Sequence, residues 1–502
     1  NSNKSLIKYL KNKSNEILDS RQYFGNLEEV LSVLKISLEN DSQITQIVLI
    51  VEKIFTELLK RNEMTIEIEP LKINHSKETE LKEYLQKQYD EAFDLVLKGL
   101  HHSKNIESTQ SLVTVFKLLA QEARSPLNFC TANSNVRKFP INKLGRILTQ
   151  MLSECKVNTH LFTRLTEYSS NLDVLQSCWK LLPTIAPKLQ PQNSILIQNF
   201  LQLIQSITIN LKAIRSEDST LLCCDEFDYN YQLIRKWINK TWNCVMLWDK
   251  HDETSHRLLL IVLLEKILVH LDKPVLLTDF LMDSLDVGGP ISLLAFQGIF
   301  ILIQQHNLTY PNIYEKLYSM FEPEIFHTKY KARLFYLADI FLSSTHLPEG
   351  LVAAFVKRLS RLSLIAPPQD IVIICYFIGN LILRHPALKR LIYHPTGREV
   401  SNDPFIMDER DPIKSNALDS SLWEIATLQN HILPSVSTAA KFISNPLPKI
   451  EWDLANVLEI NEDDIFDKEI SKNIKEYALT FERPMSMFLL RGEKSSQNWK
   501  LF

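Results

Sequence analysis

Three short stretches hold residue types that do chemistry, and none has the spacing a reaction needs. Ser343-Ser344-Thr345-His346 sets nucleophile and base types side by side. A Ser–His pair works only when the fold brings the two within hydrogen-bond reach and backbone donors face the developing oxyanion. No Gly-rich loop accompanies this phrase, so its hydroxyls read as partners for free backbone groups between two helices. His251-Asp252-Glu253-Thr254-Ser255-His256 gathers imidazoles and carboxylates, but without zinc-type spacing and directly before an apolar helix. Acids in that position face the positive end of a helix dipole. His101-His102 reads as the surface end of another helix. There is no GxxxxGK[ST], GxGxxG, GxSxG or HExxH. The sequence predicts no catalytic residue, metal site or cofactor.

The elements around these stretches are helices. Ten glycines in 502 residues is about 2%, against a usual ~7%. Strand-to-helix turns and phosphate loops consume glycine for positive φ, so its scarcity argues for a nearly all-helical chain. Apolar residues make up 45%, enough for a sizeable interior, and the length exceeds one compact core. The net charge of −3 supplies no global field toward nucleic acid. Seven cysteines (Cys130, Cys155, Cys178, Cys223, Cys224, Cys244 and Cys375), scattered and without CxxC spacing, fit buried thiols in a reducing compartment. The longest apolar runs, Ile371 to Leu383 and Leu258 to Leu264, fall short of the ~20 residues of a bilayer span.

Along the chain, Ile47, Val48, Val51, Ile54, Phe55 and Leu58 recur at helical steps, and Asn26 and Ser42 are candidate N-caps. Residues 63–76 break the period and read as a linker, with a short strand the only alternative and no partner for it in view. Paired helices then arrive every ~40 residues with short turns, the spacing of HEAT- or armadillo-like units. The expected fold is an all-α solenoid of stacked antiparallel helix pairs. Residues 1–250 form its N-terminal helical repeat region and residues 251–445 a more apolar C-terminal helical region. Residues 446–502 are an acidic, partly irregular tail with one apolar patch at Met485, Phe488, Leu489 and Leu490. A helix is expected over 416–431.

Basic residues cluster three times in the second region. Lys329, Lys331 and Arg333 open one helix, and Lys357, Arg358 and Arg361 lie opposite an apolar face of the next. Arg384, Lys389 and Arg390 follow. If exposed, the three clusters form a ridge for an acidic partner segment or RNA phosphate. No aromatic-interleaved RNA motif accompanies them, so base-specific reading is not expected.

Longer phrases in the same region carry a family signature. Phe300-Ile301-Leu302-Ile303, His306 to Pro311 (with Tyr310-Pro311), Tyr314 to Tyr318 and Phe326 to Arg333 (with Tyr330) resemble the CCAAT-binding-factor-type domain of the nucleolar complex proteins. Phe341 to Pro348 (with His346-Leu347-Pro348), Val352 to Phe355 and Lys357 to Leu359 continue the match. Arg384-His385-Pro386, Asp403-Pro404-Phe405 and Ser420-Ser421-Leu422-Trp423-Glu424 resemble the nucleolar complex protein four family in particular. The match covers residues 290–441. It implies a non-enzymatic nucleolar factor of small (40S) ribosomal subunit biogenesis and pre-rRNA processing. It further implies work within the small-subunit processome as a heterodimer with nucleolar protein fourteen, through the matched region, with pre-ribosomal RNA a secondary partner. Trp423 is expected as a core anchor. The competing expectation is a helical-repeat nuclear transport or cargo-adaptor protein, which calls for repeated Trp/Asn pairs that this sequence lacks.

Overall fold

A computed structural model describes residues 2–68, 77–130, 139–189, 191, 193–207, 221–222, 229–248, 251–306, 310, 312–393 and 402–471. The chain forms two compact units, Asn1–Leu308 and Thr309–Phe502. Pro311 and the apolar patch at 485–490 lie outside the described residues.

The first unit is a two-layer helical array. Its helices are α1 (Ser2–Asp19), α2 (Asn26–Glu39), α3 (Thr45–Lys60), α4 (Lys77–Lys98), α5 (Asn105–Arg124), α6 (Ile141–Met151) and α7 (Thr159–Ser169). They continue with α8 (Leu172–Ile185), α9 (Ser194–Ser206), α10 (Tyr231–Val245), α11 (Glu253–Val262), α12 (Thr278–Asp286) and α13 (Gly289–His306). Odd-numbered helices pack on odd ones, α1 on α3 and so on to α11 on α13; even-numbered helices from α2 to α10 do the same. Each layer is therefore a stack in which every helix leans on the one before and the one after, as in an α-solenoid. The apolar stripe of α3 is buried along its whole length. The division at 308/309 falls later than the boundary expected at 250/251, because α11 and α13 extend the odd layer. The more apolar composition from Leu258 onward marks neighbours on several sides within one array.

Two local expectations change. Neither Asn26 nor Ser42 caps its helix. The α3 N-terminus is held instead by buried Glu107 of α5, whose carboxylate accepts from the backbone N–H of Ile44 (3.0 Å) and Thr45 (2.6 Å). The strand considered at 63–76 exists and has a partner. β1 (Ile66–Ile68) pairs in parallel with β2 (Asn128–Cys130), Ile66 opposite Asn128. Gln86 of α4 ties the starts of the two strands together by donating to the Met64 (2.8 Å) and Leu127 (3.0 Å) carbonyls.

The second unit holds α14 (Ile313–Ser319), α15 (Lys331–Phe341), α16 (Glu349–Leu362), α17 (Pro368–Arg384), α18 (Trp423–Leu428), α19 (Pro434–Ala440), α20 (Leu454–Leu458) and α21 (Glu462–Ser471). Every side chain from Leu351 to Lys357 is buried, so α16 is the axis of the unit. Phe321, Phe335, Phe355 and Tyr318 meet edge to face around it, the preferred geometry of buried rings. Residues of the expected acidic tail are clamped to α17. Asn380 donates to the Trp452 carbonyl (2.9 Å) and accepts from its N–H (2.8 Å), and Tyr376 stacks on the indole. A Cβ at position 379 would lie 2.5 Å from Trp452 Cζ3, so glycine is what lets the ring lie on the helix.

Gly379→Ala is therefore expected to cost about 1–3 kcal/mol, the range for overpacking a filled contact. Residues 446–471 should become the first sites of proteolytic cleavage. Chemical denaturation and limited proteolysis check both outcomes.

Candidate functional site

The phrases that carry the family signature converge on one buried polar knot. Lys357 points from the middle of α16 into the protein, its side chain fully buried. Its Nζ donates to Glu424 Oε1 (2.7 Å), Glu424 Oε2 (2.9 Å) and the Ser421 carbonyl (2.6 Å), and lies 2.8 Å from Asp403 Oδ2. Arg361, one turn on, reaches Asp403 Oδ2 at 2.7 Å and Glu424 Oε1 at 2.8 Å. The second of these is an ion pair whose angle is not that of a hydrogen bond. Ser360 Oγ donates to Glu424 (3.0 Å), and Ser420 Oγ (2.5 Å) and Trp423 Nε1 (2.8 Å) donate to Asp403. Two cations thus face two carboxylates. Taking any one of the four from water without its partners would cost several kcal/mol.

Burial alone would raise the Asp403 pKa. Donation from Lys357, Ser420, Trp423 and the Phe405 N–H outweighs it and holds the carboxyl far below the usual carboxylate range. Trp423 covers the knot from outside. Its ring lies 4.8 Å from the Arg361 guanidinium and remains 40% exposed, so it is a lid on the charges and not the core anchor expected. The knot also explains why the helix expected over 416–431 is shorter. Asn416 takes a left-handed φ of 57°, and residues 420–422 leave helical geometry so that the Ser421 carbonyl can receive Lys357. The helix resumes only at Trp423.

The three basic clusters do not form a row of exposed cations. Lys357 is interior, because its helix is buried on the face that sequence periodicity assigns to solvent. Arg358 donates to the Phe321 (2.8 Å) and Met407 (2.9 Å) carbonyls and lies over Tyr318. Lys331 pairs with fully buried Asp370 at 2.9 Å. Arg384 bridges Asp339 (2.7 Å) and Glu451 (2.6 Å), tying α15, α17 and the chain before α20 together. Lys329, Arg333, Lys389 and Arg390 are exposed, with Arg390 3.2 Å from Asp419. Asp403 and Glu424 stand in the sequence as motif letters, and sequence reasoning missed them as counter-ions. The signal was available, since each lies inside a family phrase.

The remaining motif residues are structural. Ser343 Oγ donates to the Ile340 carbonyl (2.7 Å), so the hydroxyl phrase is the turn between α15 and α16, with His346 exposed. Pro348 precedes α16 and its carbonyl accepts from the Leu351 N–H (3.0 Å), and Leu347, Tyr310 and Tyr330 are half-buried. His251 to His256 starts α11 through a reciprocal cap. Asp252 accepts from the Ser255 N–H (2.8 Å), while Ser255 Oγ accepts from the Asp252 N–H (2.9 Å). Hydrogen bonding to its carboxylate, first from the Ser255 hydroxyl and then from the Ser255 N–H and neighbouring hydroxyls, outweighs desolvation and lowers the Asp252 pKa to about 2. No cluster of metal-ligating residues occurs among the described residues.

Lys357→Met should destabilise the protein by about 3–5 kcal/mol in urea denaturation, because it strands buried carboxylate charge. Lys357→Met/Glu424→Gln should lose less than the single variant. The folded Asp403 pKa is depressed, so its stabilisation is present above the unfolded value near ~3.9 and is lost as pH falls. Asp403→Asn should accordingly flatten the fall of the denaturation midpoint as the pH drops below about 5.

Comparison with known proteins agrees with this placement. Residues 292–440 match the CBF/Mak21 family, a span that contains the whole knot. The chain is 36% identical to nucleolar complex protein 4 homolog A of Xenopus laevis, across 96% of this chain and 94% of that one. It is 34% identical to the nucleolar complex protein 4 homolog of Gallus gallus, across 95% and 96%. It is 39% identical to nucleolar complex protein 4 of Saccharomyces cerevisiae across 47% of each. A helical-repeat chain similar to the Xenopus laevis and Gallus gallus relatives over nearly its full length, with a CBF/Mak21 match spanning its charge knot, belongs to the nucleolar complex protein 4 family: nucleolar proteins of ribosome biogenesis, of a non-catalytic kind.

Proposed function

We propose that this protein is a non-enzymatic scaffold of small (40S) ribosomal subunit assembly, acting in pre-rRNA processing within the small-subunit processome. It works there as a heterodimer with nucleolar protein fourteen, engaged through the second unit, and touches pre-ribosomal RNA secondarily. The observation that carries this reading is similarity to nucleolar complex protein 4 homologues along nearly the whole chain, on a fold of stacked helices. Such a fold offers extended surface for partners. The pre-ribosomal RNA contact falls to the exposed cations Lys329, Arg333, Lys389 and Arg390. Lys331, Lys357, Arg358, Arg361 and Arg384 take part by fixing the platform on which these stand.

Affinity purification of the intact protein from cells, with protein and RNA both identified, tests the reading. Recovery of small-subunit assembly factors, nucleolar protein fourteen among them, together with pre-ribosomal RNA is expected. Recovery of large-subunit factors or transport receptors in their place would overturn it. Charge reversal at Lys329, Lys389 and Arg390 should lower RNA recovery while leaving the thermal transition and the protein partners in place.

A further inference from the structure

In the first unit a trough opens between α1 and α3, and its charge is of one sign. Lys53 Nζ donates to Asn15 Oδ1 (3.1 Å) and Arg61 Nη1 to the Leu18 carbonyl (2.6 Å), so the two helices run side by side in the same direction. Between them lies a cavity of about 320 Å³. Lys11 and Lys53 line it, with no carboxylate among the described residues of the lining. Ser14, Asn15 and Gln46 add hydroxyl and amide groups. Lys8 and Asn15 flank Lys11 at three- and four-residue steps of α1, and Gln46, Lys53 and Lys60 follow at seven-residue steps of α3. This spacing puts all four lysines on the helix faces that border the trough, and all four are exposed.

These cations lack the counter-ions that neighbouring ones have. Lys13, elsewhere on α1, sits between Glu16 and Glu29, and Lys117 pairs with Glu52 at 2.7 Å. Lys8, Lys11, Lys53 and Lys60 pair with no carboxylate among the described residues, and Glu57, the acid on their face of α3, is taken by Arg61 at 3.3 Å. Uncompensated ammonium groups beside hydroxyl and amide groups suit phosphate oxygens, which lysine binds as a point charge and Ser, Asn and Gln by donating hydrogen bonds. An acidic peptide would need apolar anchors as well, and Leu49 and Ile50 are the only apolar side chains described in the lining. No aromatic ring is among the described lining residues, so bases find no stacking platform there.

We propose that the α1–α3 trough binds the phosphate backbone of an RNA strand without regard to its base sequence. The proposal rests on the reading that the protein touches pre-ribosomal RNA, and adds a contact in the first unit to the exposed cations of the second. Lys11 and Lys53 take the central phosphates, Asn15 and Gln46 donate to their oxygens, and Lys8 and Lys60 hold the strand at either end.

Fluorescence anisotropy of the full-length protein with two labelled single-stranded RNAs of unrelated sequence, over a range of salt concentrations, is the test. Both RNAs should bind alike. Lys11→Glu/Lys53→Glu, with an unchanged thermal transition, should weaken both about tenfold, one unit in log Kd. It should also reduce the slope of log affinity against log salt by about 1.4, the loss of two phosphate contacts on a single strand. Lys11→Arg/Lys53→Arg should keep the affinity. No binding by the unsubstituted protein, equal binding by the folded Glu variant, preference for one sequence, or tighter binding of a Glu-rich peptide of the same charge would overturn the trough assignment. Recovery of small-subunit assembly factors with pre-ribosomal RNA from cells would leave the assembly reading standing in each of those cases.

Discussion

The second unit depends on one buried ammonium. Lys357 sits in the middle of α16 with no access to water, and its charge is tolerable only because Glu424, Asp403 and the Ser421 carbonyl converge on it within 2.9 Å. Each partner comes from a different stretch of chain. Asp403 lies before the short helices that lead to α18, Ser421 in the extended residues, and Glu424 in the first turn of α18. A buried charge cannot be half satisfied, so all three stretches take one position or the unit loses stability. An apolar residue at 357 would remove the penalty of burial and also the instruction about where those stretches go. The knot is better understood as a device of specification than as a large source of net stability.

The same economy runs through the first unit, where ordinary burial does the work. Odd helices lean on odd helices and even on even, so stability accrues between neighbours. The polar exceptions are junction devices. Glu107 closes the start of α3, and Asp252 with Ser255 closes the start of α11. In the second unit Arg384 and the Asn380–Trp452 pair fix the last helices to α17. Their common logic is that a terminal backbone group or a lone charge is matched by a side chain from another element.

Helical class and stacking were legible because they rest on periodicity and on the shortage of glycine, both local properties. The absence of a familiar catalytic motif was legible for the same reason, and the hydroxyl phrase at 343–346 is the turn its residue types describe. What escaped was everything set by distant partners. Lys357 looks like a solvent-facing cation because helix periodicity says which residues share a face, not which faces are covered. Local pattern places the cap of α3 in the residues before it, whereas the cap lies in another helix. The strand at 66–68 has no visible partner in the sequence because its partner belongs to the loop after α5. The size of Trp423 points to the core, whereas the charges beneath it hold it at the surface. The family phrases are recognisable as letters, and only the fold shows that they form one contact.

Residues 402–424 are an internal part of the second unit, pinned by the Lys357 knot, and not an exposed docking loop. Hydrogen–deuterium exchange on the intact protein tests this most directly. The amides of Phe405, Leu422 and residues 426–428 should be protected to nearly the same degree as those of α16, and should open only with it. Exchange of these amides within seconds while α16 stays protected would mean that residues 402–424 are not held by the knot.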